Sequence, residues 1–426
     1  MLNEHELRRV VVSEMHLRRW PQICAPASII QFVRVLDPAD REEEMAAMCA
    51  IPSVGPSVPF PSENLPRHLS GNLAPGLAFT WERQSEASTT TLFVTGNGSP
   101  ALTDALAWAG SLPGKVIRAS RLQLVEDEAA ALALLPGLGF APDDMVTCYI
   151  GDHPDEARAR VWSDFQLRED GFGVALIAAC GMAPGPFSRT LQRLQELGNY
   201  RNLALLGLPV ARDGWRALDR VEEMLAEVNH AVARPDITDD ELLEKVMHLS
   251  MEQVAQASAA DFRMNATQAY ATIVEERLAE LHIVPVPGCL SLADFTQRRF
   301  LPAVRTCAAH SRRAELLSQR TAQVLTLLRT RIDTRIENQN GCLLASMERN
   351  ASRQLRLQQL VEGLSVVAVS YYALGLIGKV LEGVEEAVPQ VHAHFTAALL
   401  APVVVLGVWF GLHHMKRRIL GAEEGK

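Results

Sequence analysis

The chain has 426 residues, of which 48% are hydrophobic and 21% charged, an ordinary globular balance with enough length for two or three cores. Its mean hydropathy of +0.04 excludes a polytopic transporter, so any membrane segment is small and local. A net charge of −9, with the basic residues gathered in the last long helix and the tail, argues against nucleic acid as a partner.

Residues Met1–Arg19 mix Glu4, Glu6 and Glu14 with several arginines and contain no apolar core, so they do not read as a secretory signal. The seven cysteines, at 24, 49, 148, 180, 289, 307 and 342, are widely spaced and include no CxxC. That pattern fits unpaired thiols in a reducing compartment rather than a disulfide framework or a structural zinc site. The soluble part is therefore expected in the cytoplasm.

In chain order, a charged helix is expected over Leu2–Arg18. Pro21, Pro26, Pro38 and the Pro/Ser-rich stretch Pro52–Pro66 then interrupt regular structure. Leu77–Arg83 and Thr89–Val94 read as a strand pair at hairpin spacing. Further strands are expected at Lys115–Val125, Val146–Ile150, Ala159–Leu167 and Phe172–Ala179. The last two flank Arg168-Glu169-Asp170-Gly171, a turn sequence of Asp-Gly type. Helices are expected at Ala101–Gly110, Asp127–Leu135 and Phe187–Leu206. Residues 1–230 thus make a cytoplasmic domain of α+β or α/β class.

From Trp215 the pattern becomes helical. Thr238 and Glu241 form a capping box. Pro285, Pro287 and Gly288 break the chain, Ser291 restarts it, and Pro302 marks a kink or a second start. Between Ala303 and Gly363 no proline occurs, and Leu325, Leu328, Ile332, Ile336, Leu343 and Met347 recur mostly at three or four residues. The second half carries Asn338, Gln339, Asn340, Asn350, Gln354 and Gln358. This predicts, over 231–363, a helical region with a stalk helix suited to a coiled-coil seam. A surface helix packed on its own domain is the plainer alternative.

Two apolar runs follow, Leu364–Leu381 and Thr396–Leu412, within a hairpin spanning 364–412. Each has about 17–18 residues, the short end of what spans a bilayer. Their one charge, Lys379, stands near the end of the first run, where it can snorkel to the interface. Pro402 is tolerable where neighbouring helices satisfy the freed carbonyl. Neither run has the polar stripe of a soluble core helix. Arg349, Arg353 and Arg356 precede the first run and Lys416, Arg417 and Arg418 follow the second, while Glu382, Glu385 and Glu386 lie between. Positive flanks favour the cytoplasmic side, so both termini, including the basic-then-acidic tail 413–426, are expected there. The same basic residues suit anionic headgroups of the lipid bilayer. Gly407 and Gly411 form a GxxxG, and Ala393, Ala397 and Ala401 repeat small residues at the same spacing. Such residues let helices approach closely, within the hairpin or between copies in a homo-oligomer.

No P-loop, dinucleotide fingerprint, HExxH or GxSxG is present. Gly96-Asn97-Gly98-Ser99-Pro100 reads as a plain turn. Asp152-His153-Pro154-Asp155-Glu156 could hold metal but reads better as a solvated acidic loop. Glu14 and His16 point in different directions on a helix. His392, His394, His413 and His414 read as interfacial polar residues, each also able to bind metal or sense pH. No catalytic residue, cofactor or metal follows from these patterns.

Two segments carry a family resemblance: Gln192–Arg212, QRLQELGNYRNLALLGLPVAR, and Gln354–Gly383, QLRLQQLVEGLSVVAVSYYALGLIGKVLEG. Glu14–Arg18, Phe79–Arg83 and Trp162-Ser163-Asp164-Phe165 add to it. The chain resembles the domain-of-unknown-function 3422 family of membrane-anchored bacterial proteins. It departs from that pattern at Leu17 and Arg19, at Gly198-Asn199, where an acid and Thr are more usual, and at Lys379. The resemblance implies an inner-membrane location and no assigned activity. The layout is also similar to CorA-type cation transporters, although Gly375-Leu376-Ile377-Gly378-Lys379 stands where those carry Gly-Met-Asn.

The expected function is therefore a non-enzymatic, oligomeric scaffold or sensor in the inner membrane, with a cytoplasmic domain that binds a protein or small ligand. The alternative is a CorA-like ion-conducting assembly without the Gly-Met-Asn motif, with Ser370 and Tyr371 or Tyr372 facing its lumen. A third possibility is an enzyme using the Asp152–Glu156 loop or the His16 region.

Overall fold

The computed structural model describes residues 4–8, 11–12, 20–49, 51, 67–96, 100–232, 234, 236–387 and 393–420. Most of the helix expected at Leu2–Arg18, the stretch Pro52–Pro66 and the Gly-rich residues Asn97–Ser99 lie outside them. The chain divides into two compact units, Met1–Thr326 and Leu327–Lys426.

The first unit is an α+β structure built on one nine-stranded sheet. Its strands are β1 (Ala27–Val35), β2 (His68–Ala74), β3 (Leu77–Arg83), β4 (Ala87–Thr95), β5 (Lys115–Val125), β6 (Val146–Ile150), β7 (Ala159–Leu167), β8 (Gly173–Ala178) and β9 (Val284–Pro285). They lie in the order β2-β3-β4-β1-β5-β8-β7-β6-β9. Every strand pair is antiparallel except β5–β8.

Strand β1 is a central strand that sequence reading leaves out. It is buried along almost its whole length, and so shows no polar alternation. Its side chains still divide by parity. Ile30 and Phe32 join Phe79, Trp81 and Leu92 beneath helices α1 (Pro38–Cys49) and α2 (Leu102–Ser111). Ile29 points the other way, into a larger core with Leu122, Leu124, Val161 and Ile177. Helix α3 (Glu128–Leu134) covers a smaller cluster around Trp162 and Leu176, and is capped by Asp127 accepting from the Ala130 amide at 2.8 Å.

Helix α4 (Pro184–Leu205) lies on the Ile29 face, to which it contributes Phe187, Leu191, Leu197 and Ala204. Helix α5 (Gly207–Ala231) and the 42-residue α6 (Asp239–Glu280) follow, α6 opening at the Thr238–Glu241 capping box. A short helix α7 (Leu292–Phe295) leads through a π-helical turn, Thr296–Phe300, into α8 (Leu301–Ala387). That turn absorbs the start at Pro302, whose ring cannot donate a helical hydrogen bond. Leu218, Val221 and Leu225 of α5, Leu249 of α6 and Leu317 of α8 close one cluster.

The second unit holds the rest of α8 and helix α9 (Ala393–Leu420), with Pro402 inside the latter. Two helices of the chain, Leu292–Gly383 and Phe395–Met415, are long and apolar enough to cross a membrane. Of their most apolar windows, 6% and 0% is buried. A core hairpin of a soluble protein would bury most of such a surface.

Candidate functional site

Between α4 and the sheet lies a cavity of about 380 Å³, within the first unit. Strand parity explains what lines it. On β5, Arg118, Ser120 and Leu122 share one face, as do Val161 and Ser163 on β7, with Gly173 and Ala175 of β8 beside them and Phe165 added by irregular backbone. From α4 come Leu194, Gln195, Gly198, Arg201 and Asn202, spaced at three and four residues on one helical face. Val116 and Leu167, both exposed, mark its mouth. No Asp or Glu lines it among the described residues.

Arg118 is held by neutral oxygens. Its guanidinium donates to Gln31 Oε1 at 3.1 Å, Asn199 Oδ1 at 2.8 Å and Gln195 Oε1 at 2.6 Å. Those amides are themselves fixed, Gln31 donating to Thr91 Oγ1 at 2.9 Å and Gln195 hydrogen-bonding the Ser120 hydroxyl. Gly198 makes room for the arginine: a β-carbon there would stand 2.8 Å from Arg118 Cζ.

Arg201 rests on aromatic faces, 4.6 Å from the Phe165 ring centroid and 5.4 Å from that of Phe295. Those two rings stack at 4.3 Å. Among the described residues, the Arg201 side chain makes no hydrogen bond or ion pair. Both arginines lie deep in the protein and keep only partial exposure, which opens on the cavity they line. Burial lowers Arg118 to about 9, helped by the positive charge of Arg201. Burial alone lowers Arg201 to about 10. At neutral pH both remain cations.

A bulge in β7 presents Phe165. The β7–β8 register slips between Ser163 and Leu167, and Phe165 takes a left-handed backbone, φ +53°. Such a conformation is unfavourable for an aromatic residue and persists only where its surroundings hold it. Asp164 does the holding: its buried carboxylate accepts from the Gln166 amide at 3.1 Å, the Ala141 amide at 3.3 Å and Arg168 at 3.0 Å. The β7–β8 turn closes at Gly171, φ +81°, as its Asp-Gly sequence implies.

The residues singled out in the sequence fall elsewhere. Asp152 is not a free acid. Arg189 and Arg193 both hold it, and although burial raises its pKa, their hydrogen bonds and charges outweigh that and lower it. His153 and Asp155 beside it are exposed. No group of three or more His, Cys, Asp or Glu able to hold a metal occurs among the described residues. Glu14, His16 and His392 lie outside them.

In the second unit, Arg349, Arg353, Arg356 and Lys379 are exposed along α8, and the side chains of Lys416, Arg417 and Arg418 are outside the described set. Ser370 is buried, while Tyr371 and Tyr372 are exposed, packed edge to face at 5.9 Å. The small residues of α9 share one stripe but differ in exposure. Ala397 and Ala401 are half-buried, whereas Gly407 and Gly411 are exposed and a β-carbon on either would meet nothing within 4 Å.

Sequence reading did not find the cavity residues as a site. Two of the segments that carried the family resemblance, Gln192–Arg212 and Trp162–Phe165, nonetheless converge on it. A family model described as a protein of unknown function (DUF3422) matches residues 3–419. No curated protein and no solved structure matches the chain, so the similarity of layout to CorA-type transporters finds no support there.

Proposed function

The chain belongs to the DUF3422 family, whose function is unknown, and from that premise we propose a membrane-anchored homo-oligomer whose cytoplasmic α+β domain receives a small ligand in the Arg118–Arg201 cavity. The observation that carries the anchor is the pair of apolar helices that the chain leaves almost wholly unburied. In water that surface is unfavourable, by roughly 25 cal/mol for each Å² of apolar area. Lipid removes the cost. Arg349, Arg353 and Arg356 on one side and Lys416–Arg418 on the other favour both termini in the cytoplasm of the inner membrane, with the Glu382–Glu386 connection outside.

Two features support self-association. The Gly407–Gly411 face of α9 is open, the form in which such a face can receive a second helix. Along α8, Ile336, Leu343, Asn350, Leu357 and Leu364 recur every seven residues, and the four apolar ones are exposed. That is the spacing of one of the two rows a coiled-coil seam uses, and an asparagine in such a row can fix register and oligomer number. The exposed arginines and amides beside it suit the watery flanks of the seam.

Membranes of cells expressing the chain test the anchor: it should stay in the pellet after alkaline carbonate washing, and release into the supernatant overturns it. Native mass spectrometry in lipid nanodiscs tests the rest. An oligomer carrying a releasable small molecule is expected; a bare monomer overturns both.

A further inference from the structure

We propose that the cavity binds an organic anion: a single carboxylate or phosphate head taken by Arg118 and Arg201, on a compact apolar body that fills the space beyond them. This rests on the cavity being a ligand site and names what the site selects.

The rest of the fold supplies the comparison. Elsewhere in the first unit, several largely buried cations among the described residues have an acid beside them. Arg263 pairs with Glu86 at 2.5 Å, Arg168 with Asp164 at 3.0 Å, Arg160 with Glu128, and fully buried Arg34 lies in the field of buried Glu44. Half-buried Arg158 has only the Pro154 carbonyl. Arg118 and Arg201 have no acid partner among the described residues and, unlike Arg158, line one cavity together. Amide oxygens orient Arg118 without neutralising it. Aromatic faces support Arg201 from one side and leave its N–H edges unspent among the described residues.

Two like charges facing one cavity repel, and each has lost hydration. An anion between them removes the repulsion and restores charge-assisted hydrogen bonds, which are about twice as strong as neutral ones. The sheet and α4 hold both guanidinium groups before any ligand arrives, so little ordering remains at binding.

The other walls set the body of the ligand. Val146, Val161, Val174, Leu194, Leu197 and Leu292 are aliphatic and offer no side-chain donor or acceptor. A fully hydrated inorganic anion would leave that wall wet, whereas an apolar body covers it. The cavity of about 380 Å³ limits the ligand to a compact molecule.

The test is calorimetry on the full-length protein in nanodiscs, with empty nanodiscs as blank and a series matched in its tail: hexanoate, hexyl phosphate, hexanol and hexylammonium, with inorganic phosphate beside them. Hexanoate or hexyl phosphate should bind at least tenfold tighter than hexanol, hexylammonium and inorganic phosphate. Arg201→Met should remove most of that margin while leaving weak hexanol binding, and Arg121→Met, outside the cavity, should change nothing. Should Arg201→Met fail to fold, Ala175→Met fills the cavity without touching a charge and should abolish binding of both anions. Hexanol binding as tightly as hexanoate overturns the anion class and leaves a ligand cavity standing. Inorganic phosphate binding as tightly as hexyl phosphate overturns the apolar body. An unaltered affinity in Arg201→Met overturns the role of that arginine, and no binding by any member of the series overturns the cavity as a ligand site altogether.

Discussion

The guanidinium of Arg118 lies flat against the backbone of Gly198, so close that a β-carbon would stand 2.8 Å from its Cζ and 2.9 Å from its Nε. Two effects of opposite sign meet at this position. In a helix interior glycine is less favourable than alanine by about 1 kcal/mol, so propensity alone makes Gly198→Ala stabilising. Overpacking costs about 1–3 kcal/mol. The contact is tight and Arg118 is fixed by three amides, so the second effect should win. Thermal melting of Gly198→Ala should show a net loss, and affinity for an anionic ligand should drop by about tenfold as the guanidinium leaves Gln195 and Asn199. A raised melting temperature with unchanged affinity would show that Arg118 yields freely.

Arg201→Met should separate stability from binding. Replacing a buried charge that has no counter-charge by an apolar side chain of similar size removes its desolvation cost. The variant should therefore unfold at equal or higher denaturant than the wild type, measured on the unliganded protein. A large loss of stability would mark Arg201 as a structural residue, contrary to its lack of partners among the described residues.

Alkaline titration gives a third expectation. Only the cationic forms attract an anion. With Arg118 lowered to about 9 and Arg201 to about 10, affinity should be level between pH 6 and 8 and decline as pH rises through those values. Calorimetry across that range at constant ionic strength reads it directly, and a flat profile to pH 11 would remove the two guanidinium groups from recognition.

These expectations concern residues that the sequence hid, and the reason is physical. Arg118 sits in a strand otherwise read correctly, and Arg201 in a helix otherwise read correctly. Neither position has a local signal, because their meeting depends on the sheet order that sets α4 above β5 and β8. Strand β1 escaped because Pro26 and Pro38 bracket it and because burial on both faces erases alternation. Strand β2 escaped for the opposite reason: His68, Ser70, Gly71 and Asn72 make a polar edge with weak strand preference. What could be read locally was read: the Thr238–Glu241 cap, the Asp170-Gly171 turn and the two apolar runs, each set by neighbours in sequence.

A buried histidine makes the first unit sensitive to acid. His310 of α8 is 5% exposed, with its Nε2 against Gly214 of α5 and its ring edge-on to Trp215 at 6.0 Å. Burial lowers its pKa below that of an exposed histidine. The unfolded chain then binds a proton, near pH 6.5, that the folded chain refuses. Stability therefore falls as pH drops below about 6.5 and levels off only below the folded pKa. Denaturation between pH 7.5 and 5 should show this slope, and His310→Gln should flatten it. Gly214→Ala should be strongly destabilising, since its β-carbon would lie 2.2 Å from His310 Nε2.

The long seam of α8 tests the oligomer with the fold of the first unit left intact. Leu357 is 63% exposed and shares the seven-residue series with Leu343 and Leu364. If the series is an interface, Leu357→Glu places a charge where each neighbouring chain brings the same charge. The burial cost then multiplies with the number of chains, whereas on a lone helix it is close to nothing. Asn350→Val should act in the other direction, tightening association while loosening the choice of oligomer number, because the buried amide exchanges stability for register. Light scattering on full-length protein in nanodiscs or detergent should therefore give a smaller particle for Leu357→Glu and a larger or mixed one for Asn350→Val. Identical masses for both variants and the wild type would place these residues on a free surface. The self-association would then have to come from the Gly407–Gly411 face of α9, where Gly411→Leu becomes the decisive change.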